Sequence, residues 1–182
     1  MPLPSGDWSK LRLEDRIRKG LRVLFVGINP GVRSAVTGHH FAGYSNRFWR
    51  LLGDSGLTPE QITYKDDVRL PEWGLGITNL IARPSPGIND LRPSEYVKAW
   101  KALDRKIQRY RPKAVALVGV SAGPWGGTRV IEAMIPMVRE LGLVATFTDL
   151  NFPKIERTFN SEGQLLDLAF QERARALLGR GR

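Results

Sequence analysis

Two short runs constrain this chain more than anything else in it. Val23-Leu24-Phe25-Val26 and Ala114-Val115-Ala116-Leu117-Val118-Gly119-Val120 are apolar and rich in β-branched residues, the first closing on Gly27 and the second on Ser121-Ala122-Gly123. A strand with one wet face alternates apolar and polar side chains, whereas continuous apolarity belongs to a strand covered on both faces, as in a parallel sheet. Between the two runs, Ser94 to Tyr110 carries apolar residues at Tyr96/Val97, Trp100, Leu103, Ile107 and Tyr110, the stripe of an amphipathic helix that Pro112 terminates. A further strand is expected over Leu75–Ala82, and a short helix over Arg47–Leu52, capped by Ser45 or Asn46 and stopped by Gly53. Residues 54–73 read as irregular. Past Gly123 the pattern predicts a helix over Arg129–Leu141, a strand over Leu143–Phe147 and a last helix over Gln164–Leu178. Strands alternating with helices indicate an α/β fold, a three-layer α/β/α sandwich with a mostly parallel central sheet, in which ligands bind beyond the carboxyl ends of the strands. At 182 residues a single domain, 1–182, is expected.

The sequence has no cysteine and two histidines, His39 and His40. Disulfides, thiolate catalysis, Cys-ligated zinc and iron–sulfur clusters are thereby excluded, and two adjacent imidazoles point apart, so neither a metal site nor a cofactor is expected. Met1-Pro2-Leu3-Pro4 offers neither a basic nor an apolar leader segment, and no apolar run approaches the roughly 18 residues of a membrane span, so a cytoplasmic protein with no membrane partner is expected. The formal net charge is +10, and it is uneven: residues 1–122 hold 20 Lys and Arg against 11 Asp and Glu, residues 123–182 hold 8 against 7. A polyanion is the natural partner of the first part.

In Gly27-Ile28-Asn29-Pro30-Gly31 a predicted strand runs straight into a turn with two glycines and a proline. That turn holds Asn29 at the carboxyl edge of the sheet, where an amide can accept a hydrogen bond from water and donate one to a substrate without being a strong base. A purely structural Asn-Pro turn is the other reading. Neither a dinucleotide fingerprint nor a P-loop is present. The following segment, Thr37 to Trp49, mixes aromatic, glycine and basic residues, a composition suited to stacking a planar base while cations meet phosphate. Phe48 and Trp49 open a helix and are expected in the core. Phe41, in a Gly-flanked loop, is the stacking candidate, and His39 and His40 are equally readable as solvated loop residues.

Gly27-Ile28-Asn29-Pro30-Gly31, Gly38-His39-His40-Phe41 with Asn46-Arg47-Phe48-Trp49, Gly76-Ile77-Thr78-Asn79-Leu80-Ile81-Ala82-Arg83-Pro84-Ser85-Pro86-Gly87 and the strand ending at Gly119, taken in order and spacing over residues 20–121, resemble the mismatch-specific uracil and thymine DNA glycosylases of the uracil-DNA glycosylase superfamily. The resemblance implies a uracil-DNA-glycosylase-like fold and a monofunctional hydrolase of N-glycosyl bonds. In it Asn29 orients the hydrolytic water, Gly27, Ile28, Pro30 and Gly31 shape the base pocket, and Phe41 stacks on the base. Ser34, Asn79 and Ser85 are further contacts, and His40 lies near the pocket. Double-stranded DNA with a G·U or G·T mismatch is the implied partner, gripped by Arg47 and Arg83, the target nucleotide being flipped out of the stack. A monomer associated with the nucleoid is expected.

Two features depart from the family. The Pro- and Ser-rich loop that relatives insert into the duplex after their last core strand has no counterpart past residue 121, which makes residues 122–182 a divergent C-terminal third; residues 1–19 are an N-terminal extension. The nearest wedge is Asp149-Leu150-Asn151-Phe152-Pro153-Lys154, with Phe152 as apolar wedge and Lys154 as cation, although Phe152 fits a core as well. The other departure is Ala82, where relatives often carry an acid. Two competing readings remain: a non-catalytic module that recognises damaged DNA and has lost turnover, and an α/β enzyme binding a nucleotide at the Gly27–Gly31 turn.

Overall fold

The computed structural model describes residues 7–44, 46–119 and 132. The chain divides into two compact units, Met1–Val118 and Gly119–Arg182, and the sheet and helices that follow lie in the first. The elements expected over Arg129–Leu141, Leu143–Phe147 and Gln164–Leu178, together with Phe152 and Lys154, lie outside the described residues.

Three five-residue strands, β1 (Val23–Gly27), β2 (Leu75–Asn79) and β3 (Ala114–Val118), form a parallel sheet in the order β2-β1-β3. The registers are continuous: Val23 to Gly27 pair with Leu75 to Asn79 on one side and with Ala114 to Val118 on the other. The first continuous apolar run is thus the central strand, as its composition requires. Val23, Phe25, Leu75 and Ile77 join Trp49, Leu52, Ile62 and Leu70 in one core on one face of the sheet. Thr78 faces the other way and accepts a hydrogen bond from Lys106 Nζ of the long helix at 2.9 Å. Helices therefore cover both faces, and this unit is an α/β/α sandwich.

Strand β2 stops at Asn79 rather than Ala82, but the contact goes on: Leu80 N and Ile81 N donate to Gly27 O and Ile28 O, both at 2.8 Å. Helix α1 (Val32–Thr37) is not foreseen by sequence periodicity, being six residues long and ended by Gly38 at φ 74°. Helix α2 (Phe48–Asp54) starts where Asn46 Oδ1 accepts from Phe48 N at 2.9 Å. Helix α3 (Pro93–Tyr110) carries proline in its first turn and Glu95 accepting from Arg92 N at 2.8 Å. Its buried residues are Ala99, Trp100, Leu103 and Ile107, while Val97 is 61% exposed; at 100° per residue Val97 falls outside the arc that those four span. Residues 54–73 are more regular than expected. Tyr64–Trp73 is a 3-10 stretch, opened by Thr63, whose backbone N–H donates to Asp66 Oδ2 at 2.9 Å. Three residues per turn puts Asp67 and Leu70 on one ridge, and both are fully buried.

Candidate active site

The segment from Gly27 to Gly31 leaves the end of β1 and is stitched to the segment after β2. Beyond the bonds to Gly27 and Ile28, Ser85 N donates to Pro30 O at 3.1 Å and Gly31 pairs with Ser85 in an isolated parallel bridge. Pro30 is buried, and Ile28 and Asn29 are half-buried. Asn29 Nδ2 donates to Pro30 O (3.1 Å), Arg83 O (3.2 Å) and Ser85 Oγ (2.8 Å). Ser85 Oγ in turn donates to Gly87 O at 2.7 Å, which leaves its lone pairs for the amide. The nitrogen end of Asn29 is surrounded by acceptors, and among the described residues nothing donates to Oδ1. The side chain is therefore oriented by its nitrogen and offers a fixed, unspent acceptor.

Two residues earlier, Gly27 lies against Phe41 and Asn79. A Cβ at Gly27 would stand 2.7 Å from Asn79 Oδ1, too close for the amide to stay where it is, and 3.0 Å from the Phe41 ring, a contact tight enough that the ring would have to give. Phe41 itself has φ 49°, a backbone conformation that a bulky residue adopts at a cost of about 1–3 kcal/mol. Both of its neighbours are pinned. His40 N donates to Asp67 Oδ2 (2.9 Å) and Trp49 Nε1 donates to His40 O (3.1 Å). Ala42 N donates to Ser34 Oγ (3.0 Å), and Arg33 Nε donates to Ala42 O (2.6 Å). The ring packs at 4.6 Å from Phe48 and stays half-buried. The Ser34 hydroxyl oxygen thus helps to hold the Phe41 loop.

His40 is 1% exposed. Its Nε2 lies 3.0 Å from Glu14 O and its Nδ1 3.3 Å from Asn79 Nδ2. A carbonyl only accepts, so Nε2 carries the proton, Nδ1 accepts from the Asn79 amide, and Asn79 Oδ1 is turned toward Gly27. Burial pushes the His40 imidazole below its ordinary value, with Arg16 adding to the effect and the Glu14 carbonyl, Asp67 and Asp15 opposing it. The unfolded chain consequently takes up a proton before the folded one does, so the stability that neutral His40 contributes is whole above about pH 6.5 and is lost as the pH falls below it. Thermal melts are expected to show Tm dropping below that pH, with a shallower drop in His40→Gln; a variant whose profile tracks the parent chain would contradict this assignment.

The two expected phosphate cations differ. Arg47 precedes α2 and has no carboxylate partner among the described residues. Arg83 is held by Glu95 in a bidentate pair at 2.9 and 2.8 Å, donates to Asp90 O at 3.0 Å, and holds the Glu95 carboxyl down at about 2. That pair ties the segment bearing Ser85 to the start of α3. Sequence reasoning missed Asp67, Arg16 and Arg33. Asp67 takes His39 Nδ1 (2.9 Å) and Arg16 Nε (3.4 Å) on one oxygen and His40 N on the other, and Arg16 Nη2 reaches Gly38 O at 3.0 Å. Its one sequence signal is an acid beside Asp66, within a stretch that reads as irregular.

The family model described as the uracil DNA glycosylase superfamily matches residues 15–148. A G/U mismatch-specific uracil DNA glycosylase of Schizosaccharomyces pombe is 42% identical over 135 residues, which is 73% of this chain and 39% of that protein. The chain thus matches about two fifths of that relative's length.

Proposed function

We propose, since the chain belongs to the uracil DNA glycosylase superfamily, that it hydrolyses the N-glycosidic bond of uracil mispaired with guanine in double-stranded DNA. The observation that carries this reading is Asn29, whose amide nitrogen is fixed by three acceptors and whose oxygen is left unspent two residues from the Gly27, Phe41 and Asn79 contact. In the reaction a water oxygen bonds to the anomeric carbon as the bond to the base breaks. The electron pair leaves with the pyrimidine, and the water proton ends in solvent or on the released base. Asn29 Oδ1 accepts a hydrogen bond from that water and aims it, supplying position rather than basicity. The departing base carries negative charge, which backbone N–H groups of the Gly-rich turn are suited to meet. Phe41 serves as the stacking face, and the Asn79 oxygen accepts from the base.

Weak activation of water makes the rate depend on the leaving group, so turnover on uracil is slow and on thymine slower. The protein acts as a monomer with the DNA, without membrane attachment; among the described residues no helix is long and apolar enough to cross one. Duplexes carrying U or T opposite G or A, incubated with the full chain under single-turnover conditions and read by alkaline strand scission, are expected to break fastest at U opposite G. Equal, fast scission at U and T would refute the weak-activation mechanism. Binding without scission would favour a recognition module that has lost turnover.

A further inference from the structure

Arg33 has no part in the proposed chemistry, yet its guanidinium is held by a backbone carbonyl and lies over an aromatic ring. Its Nε is spent on Ala42 O at 2.6 Å, its Cζ lies 3.6 Å from the centroid of the Tyr44 ring, and the Tyr64 ring stands 5.8 Å away. Several other arginines near this part of the fold already have partners: Arg16 pairs with Asp67 and Glu14, Arg69 with Glu60 and Asp66, Arg83 with Glu95, and Arg22 donates to Trp73 O. Arg33, like Arg47, has no carboxylate partner among the described residues. Its two Nη groups are not sealed away either, since the one buried unpartnered side-chain nitrogen or oxygen among those residues is Trp100 Nε1. Tyr44 is 72% exposed, so the guanidinium–ring pair stands at the surface.

We propose that Arg33, flattened on Tyr44, is a docking point for one DNA backbone phosphate on the strand that delivers the extruded nucleotide. The fork of a guanidinium matches two phosphate oxygens, and an aromatic plate beneath it removes water from one face and fixes its plane, so little freedom is lost on contact. Placement follows from the chain: Arg33 stands two residues past Gly31 and is bonded to the carbonyl next to Phe41 in sequence, so a phosphate on it is registered against the proposed base pocket. The plate is displayed by the loop that carries Phe41, and the cation, on α1, is tied to that loop through Ala42 O, which links grip and pocket mechanically.

This inference rests on the proposed DNA glycosylase activity, and its test separates the two. Binding of the full chain to a duplex with non-cleavable 2′-fluoro-deoxyuridine opposite guanine is measured across a salt series for the parent chain, Arg33→Gln and Arg33→Lys. Losing one phosphate contact lowers the slope of log K against log salt by about 0.9 and weakens binding about tenfold or more. Arg33→Gln is expected to do both, whereas Arg33→Lys, which keeps the charge but loses the bond to Ala42, keeps the slope. A loop merely loosened by the substitution would weaken both variants at unchanged slope, and that result overturns the proposal, as does wild-type behaviour of Arg33→Gln. Uracil release by the parent chain judges the glycosylase reading alone: a chain that releases nothing but shows the slope change loses its activity and keeps its phosphate site.

Discussion

Asn29→Ala is expected to slow uracil release from a G·U duplex by about 10²–10⁴-fold under single-turnover conditions, the range a positioned proton acceptor or a well-placed water is worth. Duplex affinity should change little, because the amide nitrogen is directed at the protein's own acceptors rather than outward. Those acceptors also explain why the position demands an amide. Pro30 O, Arg83 O and Ser85 Oγ converge on Nδ2 at 3.1, 3.2 and 2.8 Å. Aspartate there would set a carboxylate oxygen against two carbonyls, so the stronger base would come with a lost orientation. Alanine removes the acceptor and leaves the turn otherwise framed by the Ser85-to-Pro30 and Ile81-to-Ile28 bonds. Release within about threefold of the parent rate would mean that water is held by something other than Asn29, and the mechanism would fall.

What could be read from the chain and what could not divide along a physical line. Strands β1 and β3 and helix α3 declare themselves because a continuous apolar run, or an apolar stripe, leaves a mark over many residues, although β3, expected to be buried, has Ala114 exposed and its other four residues only half-buried. The turn at Asn29 declares itself because glycine and proline at fixed offsets have few other uses. Helix α1 is too short for a period, and the 3-10 stretch at Tyr64–Trp73 repeats every three residues through a polar sequence with Pro71 inside it, so neither leaves such a mark. The supports of the site are hidden for a different reason. Ser85 reaches Asn29 across 56 positions and Arg16 reaches Asp67 across 51, pairings that no local pattern encodes. Arg83 shows the reverse limit: a cation in a promising motif is indistinguishable in sequence from one bound to an acid twelve residues on.

Asp67 is where that hidden layer can be tested with the largest effect on the fold. Its carboxylate is 0% exposed and receives His40 N, His39 Nδ1 and Arg16 Nε. Asp67→Ala leaves the buried His40 N–H and His39 Nδ1 without their acceptor and leaves Arg16, 15% exposed, with Glu14 and Gly38 O alone, at a cost of about 1–3 kcal/mol for each group left unpaired. The urea midpoint of the transition reported by Trp49, Trp73 and Trp100 should fall accordingly with little change in slope. Asp67→Asn keeps the volume and one acceptor and should lose less. A further consequence concerns Phe41, because His40 N is the tether just before it and φ 49° persists only while both neighbouring peptides are held. With the tether gone, Phe41 relaxes to an ordinary backbone conformation and its ring leaves Gly27. Asp67→Ala, assayed under conditions where it is still folded, is therefore expected to bind the G·U duplex less tightly with a raised KM, although Asp67 is wholly buried and among the described residues its carboxylate bonds to residues 16, 39 and 40. A folded Asp67→Ala chain with parental KM would show that the loop needs no such anchor.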